Sequence, residues 1–335
     1  MWQPSKPSGW KAYLVNNLPF AHITSDAKLI DLWLDGKAPH TQSGYRRDVR
    51  SLLEQFLDGC SIQELAIEDL YAYKSWMGTQ GYKPATVRRK LAAVKSLLSF
   101  AARLQYIPAN VGALLSAPKL STTLAGRILT HSEVFKLFAL EENARNLVFL
   151  KTVYYTGARV SEVCSLLWRS FSVRDGGIVQ VNIIGKGNKP RSVVVPKPVW
   201  SELCALKASA MLQRSGFANA QAMIRLKDQA QELAESAISQ GEGFANANSP
   251  VFPGRDGQPM SRVNAHNIVK AAARRARLPE EVSCHWLRHA HAQHALHQGA
   301  SIELVRDTLG HASISTTNQY LESNPADSSS NYLSA

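Results

Sequence analysis

Val87, Leu91, Val94, Leu98 and Ala101 recur at spacings of four and three within KPATVRRKLAAVKSLLSFAARLQY. That rhythm draws one apolar stripe along an α-helix and leaves Arg88, Arg89, Lys90 and Lys95 to point elsewhere. Such a stripe has to be buried against neighbouring elements. The neighbours lie just upstream: SDAKLIDLWLDG, TQSGYRRDVRSLLEQFLDG and SIQELAIEDLYAYKSWMGTQG are helical in pattern, and each ends near a Gly or ahead of a Pro. The pattern predicts a four-helix unit over residues 24–117 with basic outer faces. Residues 1–23 are rich in Pro, Ser and aromatics without periodicity and read as an arm.

The polar stretch SAPKLSTTLAGR interrupts the helical pattern, which sets an interdomain linker at 118–127. Thr130, with Glu133 three residues later, forms a capping box that opens a second domain over 128–323. Helices follow through RNLVFLKTVYYTG and VSEVCSLLW. GIVQVNII, the turn GKGNKP and RSVVV then read as a β-hairpin. Residues 199–250 look helical but are Ala-, Gln- and Ser-rich, with GFANA occurring twice and no chemistry attached to it. Helices resume at SRVNAHNIVKAAARRARL, SCHWLRHAHAQHALHQG, SIELVRDTLG and SISTTNQYLES, before a polar tail at 324–335. The expected fold class is mainly α with a small β-sheet or hairpin, in two domains.

The length of 335 residues suits two domains of ~100–200 residues each. Lys and Arg outnumber Asp and Glu by 38 to 26, a net charge of +12 spread over both halves. A basic excess carried by structured segments points to a polyanionic partner, nucleic acid first. No apolar run approaches the ~18–20 residues needed to cross a bilayer. MWQPSKPSGW lacks the basic-then-apolar order of a secretion signal. Cys60, Cys164, Cys204 and Cys284 stand far apart with no CxxC pair. A cytoplasmic protein with reduced, mostly buried thiols is expected.

Four signals in the second domain carry chemistry. In YYTGARVSEVCSL, Arg159 follows a Gly turn and opens a helix, setting a guanidinium beside free backbone N–H groups, a seat for an oxyanion. In GKGNKPR, Lys186, Lys189 and Arg191 cluster on a Gly-containing turn that is not a P-loop. SCHWLRHAHAQHALH packs His285, His289, His291, His294 and His297 together. HWLRH has the His–His spacing of a zincin helix, but Trp286 stands where the general-base Glu belongs, and Arg288 beside His285 favours an anion over a metal. In LVRDTLGHASISTTNQYLES, His311 follows a Gly turn and Tyr320 comes nine residues later within a short helix. Cations nearby favour a phenolate and make a tyrosine a nucleophile. Two arginines, a lysine, two histidines and a tyrosine suit transfer at a phosphodiester: the arginines hold the nonbridging oxygens, the lysine protonates a leaving alkoxide, and the histidines relay protons. No carboxylate cluster suits Mg²⁺.

TGARVSEV, GKGNKPR, HWLRH and LGHASISTTNQY, in that order, resemble the successive signature motifs of the tyrosine recombinases, the phage integrase family, and most of all its Xer branch. The resemblance covers about 127–320 by motif and extends to 24–117 through that unit's helical, basic character. It implies a C-shaped, two-domain DNA clamp: a helical N-terminal core-binding domain plus a mixed α/β catalytic domain. It implies Arg159 and Arg288 as the phosphate-binding pair, and Lys186 as general acid for the 5′-hydroxyl, with Lys189 the alternative because Pro190 sits in the hairpin turn. His285 and His311 become proton-transfer and hydrogen-bonding partners, and Tyr320 the nucleophile that forms a 3′-phosphotyrosyl link. No metal or other cofactor is implied.

The implied partners are double-stranded DNA carrying an inverted-repeat site and a homotetramer on two such sites, joined or not by a partner recombinase and held partly by swapped C-terminal segments. The stretch 199–250 is longer than the compact Xer pattern. The tail after Tyr320 has no basic residue and offers Tyr332 and Leu333 as its sizeable apolar anchors. Competing readings are type IB topoisomerase-like relaxation, a DNA-binding architectural protein lacking catalysis, and a metal-dependent hydrolase.

For groove reading, Thr41, Gln42, Arg46, Arg47 and Arg50 stand near a helix start, and Arg262, Asn264, His266, Asn267 and Lys270 on a helix of the second domain. Both sets mix hydrogen-bonding and cationic groups as base-edge reading requires. Arg88, Arg89 and Lys90 suit phosphate clamping.

Overall fold

The computed structural model describes residues 23–119, 128–185, 187–215, 247–311, 313–318 and 320. The chain divides into two compact units, Met1–Thr122 and Thr123–Ala335. Most of the arm, most of the linker, the greater part of 199–250 with both GFANA copies, and the tail lie outside the described residues, as does Lys186.

The first unit holds α1 (Asp26–Leu34), α2 (Pro39–Leu53), α3 (Ile67–Thr79) and α4 (Pro84–Arg103). Ser25 caps α1, its hydroxyl accepting from the Lys28 N–H at 3.3 Å. Pro39 and Pro84 open α2 and α4, where a missing N–H leaves no bond unmade. Val87, Leu91, Val94, Leu98 and Ala101 are all buried, against Leu29, Trp33, Val49, Leu70, Tyr73 and Met77. Asp26 ties the first helix to later chain, accepting from the Ile62 N–H at 2.9 Å and the Tyr106 hydroxyl at 2.7 Å.

Two details depart from the pattern. SIQELAIEDLYAYKSWMGTQG is not one helix: a single 3₁₀ turn at Ile62–Glu64 ends at Leu65, and α3 restarts where the Asp69 carboxylate accepts from the Ala66 N–H at 2.9 Å. Lys90, expected outside the stripe, is buried with its ammonium 5.2 Å from the centre of the Tyr82 ring. A cation held on an aromatic face can be enclosed in this way.

The second unit runs α5 (His131–Ala139), α6 (Ala144–Thr156), α7 (Val160–Cys164), β1 (Phe171–Arg174), β2 (Ile178–Ile184), β3 (Pro190–Val194), α8 (Lys197–Ser215), α9 (Arg262–Arg275), α10 (Cys284–His297), α11 (Ile302–Leu309) and α12 (Ser315–Asn318). The Thr130–Glu133 capping box forms reciprocally, at 3.2 and 2.8 Å. The predicted hairpin is present as β2 and β3, with Val181 opposite Val193. An unforeseen strand, β1, pairs antiparallel on its other side, with Phe171 opposite Val181. Its four residues are too few to show an alternation. In β2, Val179, Val181 and Ile183 face the core, while Ile178 and Ile184 are exposed. Phe149, Phe252, Leu203 and Leu287 fill the core between the sheet and the helices. Tyr320 lies in the turn after α12 rather than within a helix. No helix among the described residues is long and apolar enough to cross a membrane.

Candidate active site

The site is organised by the C-terminal turn of α11. Three consecutive carbonyls there each accept from a different arginine: Thr308 from Arg191 Nε at 2.8 Å, Leu309 from Arg288 Nη2 at 2.7 Å, and Gly310 from Arg159 Nη2 at 3.4 Å. The last carbonyls of a helix have no intrahelical partner and carry the negative end of its dipole, which suits cations. The helix ends there because Gly310 turns left-handed, with φ +65°. A methyl group on it would lie 3.1–3.3 Å from the Arg191 side chain.

Arg288, on α10, is 1 % exposed and also donates from Nη1 to the Gly157 carbonyl at 2.6 Å. Gly157 ends α6 in the same left-handed way, φ +58°, and a Cβ there would sit 2.7 Å from His291 and 2.8 Å from Leu309. Two helix C-termini thus grip one guanidinium. Burial, and secondarily Arg159, lower the Arg288 pKa to about 10. Its Nε is buried with no hydrogen-bond partner among the described residues. Such a donor is destabilising until an acceptor reaches it.

Arg159 caps α7, as the sequence implies, but the helix start is not open: the Arg159 N–H donates to Glu162 Oε2 at 2.8 Å. Glu162 also accepts from Arg159 Nη1 at 3.0 Å and from Arg191 at 2.6 and 3.2 Å. Burial pushes this carboxyl up, but the hydrogen bonds from Arg191 and Arg159 outweigh that and hold it below the usual range. Glu162 therefore fixes the aim of two arginines. Sequence reasoning passed over it, although its three-residue spacing from Arg159 is that of a capping box. Arg191, taken with the hairpin tip, turns inward instead. Among the described residues, Lys189 joins none of these bonds.

His311 follows the Gly310 turn. Its Nδ1 is 3.0 Å from Thr317 Oγ1, and its ring lies parallel to that of Tyr320, centres 6.4 Å apart. Burial, then Arg288 and Arg159, push the His311 pKa down to about 4. His285 opens toward solvent on α10, and the protein around it, with Arg288 and Arg159, lowers its pKa as well. Tyr320 is buried. Burial raises its pKa, and Arg288 opposes the rise. Its hydroxyl lies 2.7 Å from Nδ1 of His289, one turn along α10 from His285. The His285 and His289 rings are 4.2 Å apart. The sequence offers His289 as one of five histidines of a metal site, while its four-residue spacing from His285 sets the two on one helix face. Arg159, Arg288, His285, His311 and Tyr320 are gathered in one place. Among the described residues no group of three or more His, Cys, Asp or Glu is placed to hold a metal.

The groove-reading candidates are more dispersed. Arg46 pairs with Asp31 at 2.8 Å and Arg50 with Glu54 at 3.2 Å. Gln42 donates to the Lys37 carbonyl at 2.9 Å, and Arg89 pairs with the buried Asp48. Thr41 is half-buried, while Arg47 and Arg88 are exposed. In the second unit Arg262, His266 and Asn267 are exposed and Asn264 half-buried on α9, and Lys270 donates to the Glu280 carbonyl.

Comparison with known proteins matches the phage integrase family over residues 127–211 and 200–327, and the phage integrase N-terminal SAM-like domain over 29–105. The tyrosine recombinase XerD of Vibrio cholerae is 29 % identical over 89 % of this chain and 92 % of its own length. XerD of Shewanella oneidensis is 30 % identical over 88 % and 90 %. XerC of Xylella fastidiosa is 30 % identical over 85 % and 86 %. Among solved structures, a lambda integrase dimer bound to a COC′ core site superposes with a TM-score of 0.65 at 15 % identity, covering 96 % of this chain and 83 % of that one. The XerH recombinase bound to palindromic difH in a post-cleavage complex gives 0.60 at 21 %, covering 84 % and 76 %. These structures share the fold. By family match along both units, and by relatives aligned over most of their length, the chain belongs to the phage integrase family of tyrosine recombinases.

Proposed function

We propose that this site-specific recombinase cleaves and rejoins DNA strands through a 3′-phosphotyrosyl intermediate on Tyr320. The observation that carries the reading is the convergence of Arg159 and Arg288 on adjacent carbonyls of one helix end, with Tyr320 and His311 beside them. The two guanidinium groups would hold the nonbridging oxygens of the scissile phosphate and stabilise the charge that develops there. The unsatisfied Arg288 Nε is a donor waiting for such an oxygen. Lys186 protonates the departing 5′-oxygen, and His285 and His311, both kept neutral by their surroundings at pH 7, donate hydrogen bonds or pass protons. The covalent link conserves the phosphodiester energy, so rejoining needs no nucleotide.

In this reading the first unit, residues 24–117, is a DNA-binding domain joined through 118–127 to a catalytic domain at 128–323. Thr41, Gln42, Arg46, Arg47 and Arg50 read base edges from it, and Arg88 and Arg89 clamp phosphates. The substrate is double-stranded DNA with an inverted-repeat site, and the working assembly is a tetramer on two such sites in the cytoplasm. The role that goes with this reading is Xer-like: chromosome or plasmid dimer resolution, or integration and excision.

The test needs no known target. Wild type and Tyr320→Phe are incubated with fragmented genomic DNA in EDTA and denatured with SDS, and the protein-linked DNA is sequenced. A wild-type-only adduct focused on one inverted repeat is expected. Adducts scattered over many sequences would indicate topoisomerase-like relaxation, and DNA binding without any adduct would indicate an architectural protein.

A further inference from the structure

We propose that His289 is the proton acceptor for the Tyr320 nucleophile, a catalytic residue beyond the two arginines, the lysine and the two histidines of the motifs. The inference rests on Tyr320 being the nucleophile. Its carrier is direct: the Tyr320 hydroxyl lies 2.7 Å from His289 Nδ1, and both side chains are buried.

A phenol enclosed by protein holds its proton more tightly than one in water. Arg288 stabilises the phenolate but takes up no proton. The acceptor therefore has to be a base within hydrogen-bond reach of the oxygen. His311 engages Thr317 through Nδ1, and its ring lies parallel to that of Tyr320 with 6.4 Å between centres. His289 presents a ring nitrogen to that oxygen, and α10, which carries it, is fixed by Arg288 to the ends of two other helices. The second ring of the pair, His285, lies 4.2 Å away on the same helix and reaches solvent, which gives the accepted proton a neighbour toward the surface.

The step balances as follows. The step requires a neutral His289 with its proton on Nε2 and a lone pair on Nδ1. The Tyr320 O–H bond breaks and the proton moves to Nδ1. The electron pair left on the Tyr320 oxygen forms the new O–P bond, while the P–O5′ bond breaks and its own bonding pair goes to the 5′-oxygen, which takes a proton from the general acid. The products are an imidazolium at His289, a 3′-phosphotyrosyl link and a free 5′-hydroxyl. Rejoining runs the same transfers backward.

The experiment measures adduct formation by the full-length protein on a nicked duplex built around its site. His289→Asn keeps an acceptor for the hydroxyl but is too weak a base to take the proton. His289→Asn is expected to slow adduct formation at least ~10²-fold, the lower end of general-base contributions, with DNA affinity and melting temperature near wild type. A trifluorotyrosine at position 320, whose hydroxyl is far more acidic, is expected to restore tenfold or more in the Asn variant. His289→Gln provides a second variant should Asn fail to fold.

An Asn or Gln variant within threefold of wild type would overturn the assignment. So would a slow variant that the acidic phenol does not rescue, which would leave His289 a merely orienting residue. A faster variant would make the contact a restraint on the tyrosine. Adducts persisting in Tyr320→Phe would instead remove the nucleophile reading itself.

Discussion

Arg191 and Glu162, on β3 and α7, share two hydrogen bonds of 2.6 and 3.2 Å in a nearly closed pocket, and the same carboxylate steadies Arg159. Removing one member of a buried pair leaves the other charged and unpartnered, at a cost of about 3–5 kcal/mol. Arg191→Ala is expected to lose that much in the denaturant unfolding of the catalytic unit. Glu162→Gln should lose less, because an amide still accepts one guanidinium. The double variant should fall well short of the sum, and additivity would show that the pair does not act as a unit.

Arg288 spends two donors on carbonyls of two different helix ends, so its planar fork matters as much as its charge. Arg288→Lys keeps the charge and loses the fork. Adduct formation on a nicked substrate should drop at least ~10²-fold, as on removing an oxyanion-hole donor, with DNA affinity within a few-fold. Arg159→Ala should behave alike. A merely twofold loss in either would remove that arginine from the site.

Acid should weaken this fold earlier than most. His294 is buried, with Tyr154 hydrogen-bonded to its Nδ1 at 2.9 Å and the His131 ring stacked on it at 3.6 Å. Burial, then His131, lowers its pKa to about 4. An unfolded histidine titrates near 6.5, so between those values the unfolded chain binds the extra proton and stability declines as pH falls. The slope is at most about 1.4 kcal/mol per pH unit for this residue. His291 and His311, also near 4, act in the same direction. Glu162 joins only lower, below the ordinary carboxylate value, because its own folded pKa is depressed. Unfolding free energies at pH 7, 6 and 5 should trace this decline, and His294→Gln should flatten it.

Within the first unit two neighbouring cations should separate cleanly. Arg88 is exposed, and Lys90 is enclosed over Tyr82. Arg88→Ala should reduce the slope of log affinity against log salt by about one unit. Lys90→Ala should leave that slope unchanged and destabilise the unit by about 1 kcal/mol, because its stem and cation pack on an aromatic ring. A slope change for Lys90→Ala would return it to the phosphate clamp.

The periodic parts of this fold were legible from the sequence because burial imposes a period: the α4 stripe and the alternation of β2 both appear where expected. β1 was not, since Phe171–Arg174 is too short to show a rhythm and is held by pairing with β2. The misjudged Lys90 shows a second limit. Helical periodicity assigns a face, but a basic residue enters the interior when a ring such as Tyr82 accepts it. At the site, Arg159, Arg288, His311 and Tyr320 were visible through motif spacing. Glu162 and His289 carried only a local spacing, from Arg159 and from His285, that does not reveal their longer-range partners Arg191 and Tyr320, and Arg191 reaches Thr308 from 117 residues away.

The grip of α11 on three arginines also orders events in time. Ribosomal synthesis delivers Arg159, Arg191 and Arg288 before the carbonyls of Thr308, Leu309 and Gly310 that anchor them. A nascent or prematurely terminated chain that stops short of Thr308 carries all three guanidinium groups without their common anchor. The four-helix unit is complete in sequence some two hundred residues earlier. The capacity to break a strand is therefore acquired well after the four-helix unit is made, and translation itself withholds it from copies that stop short of this turn.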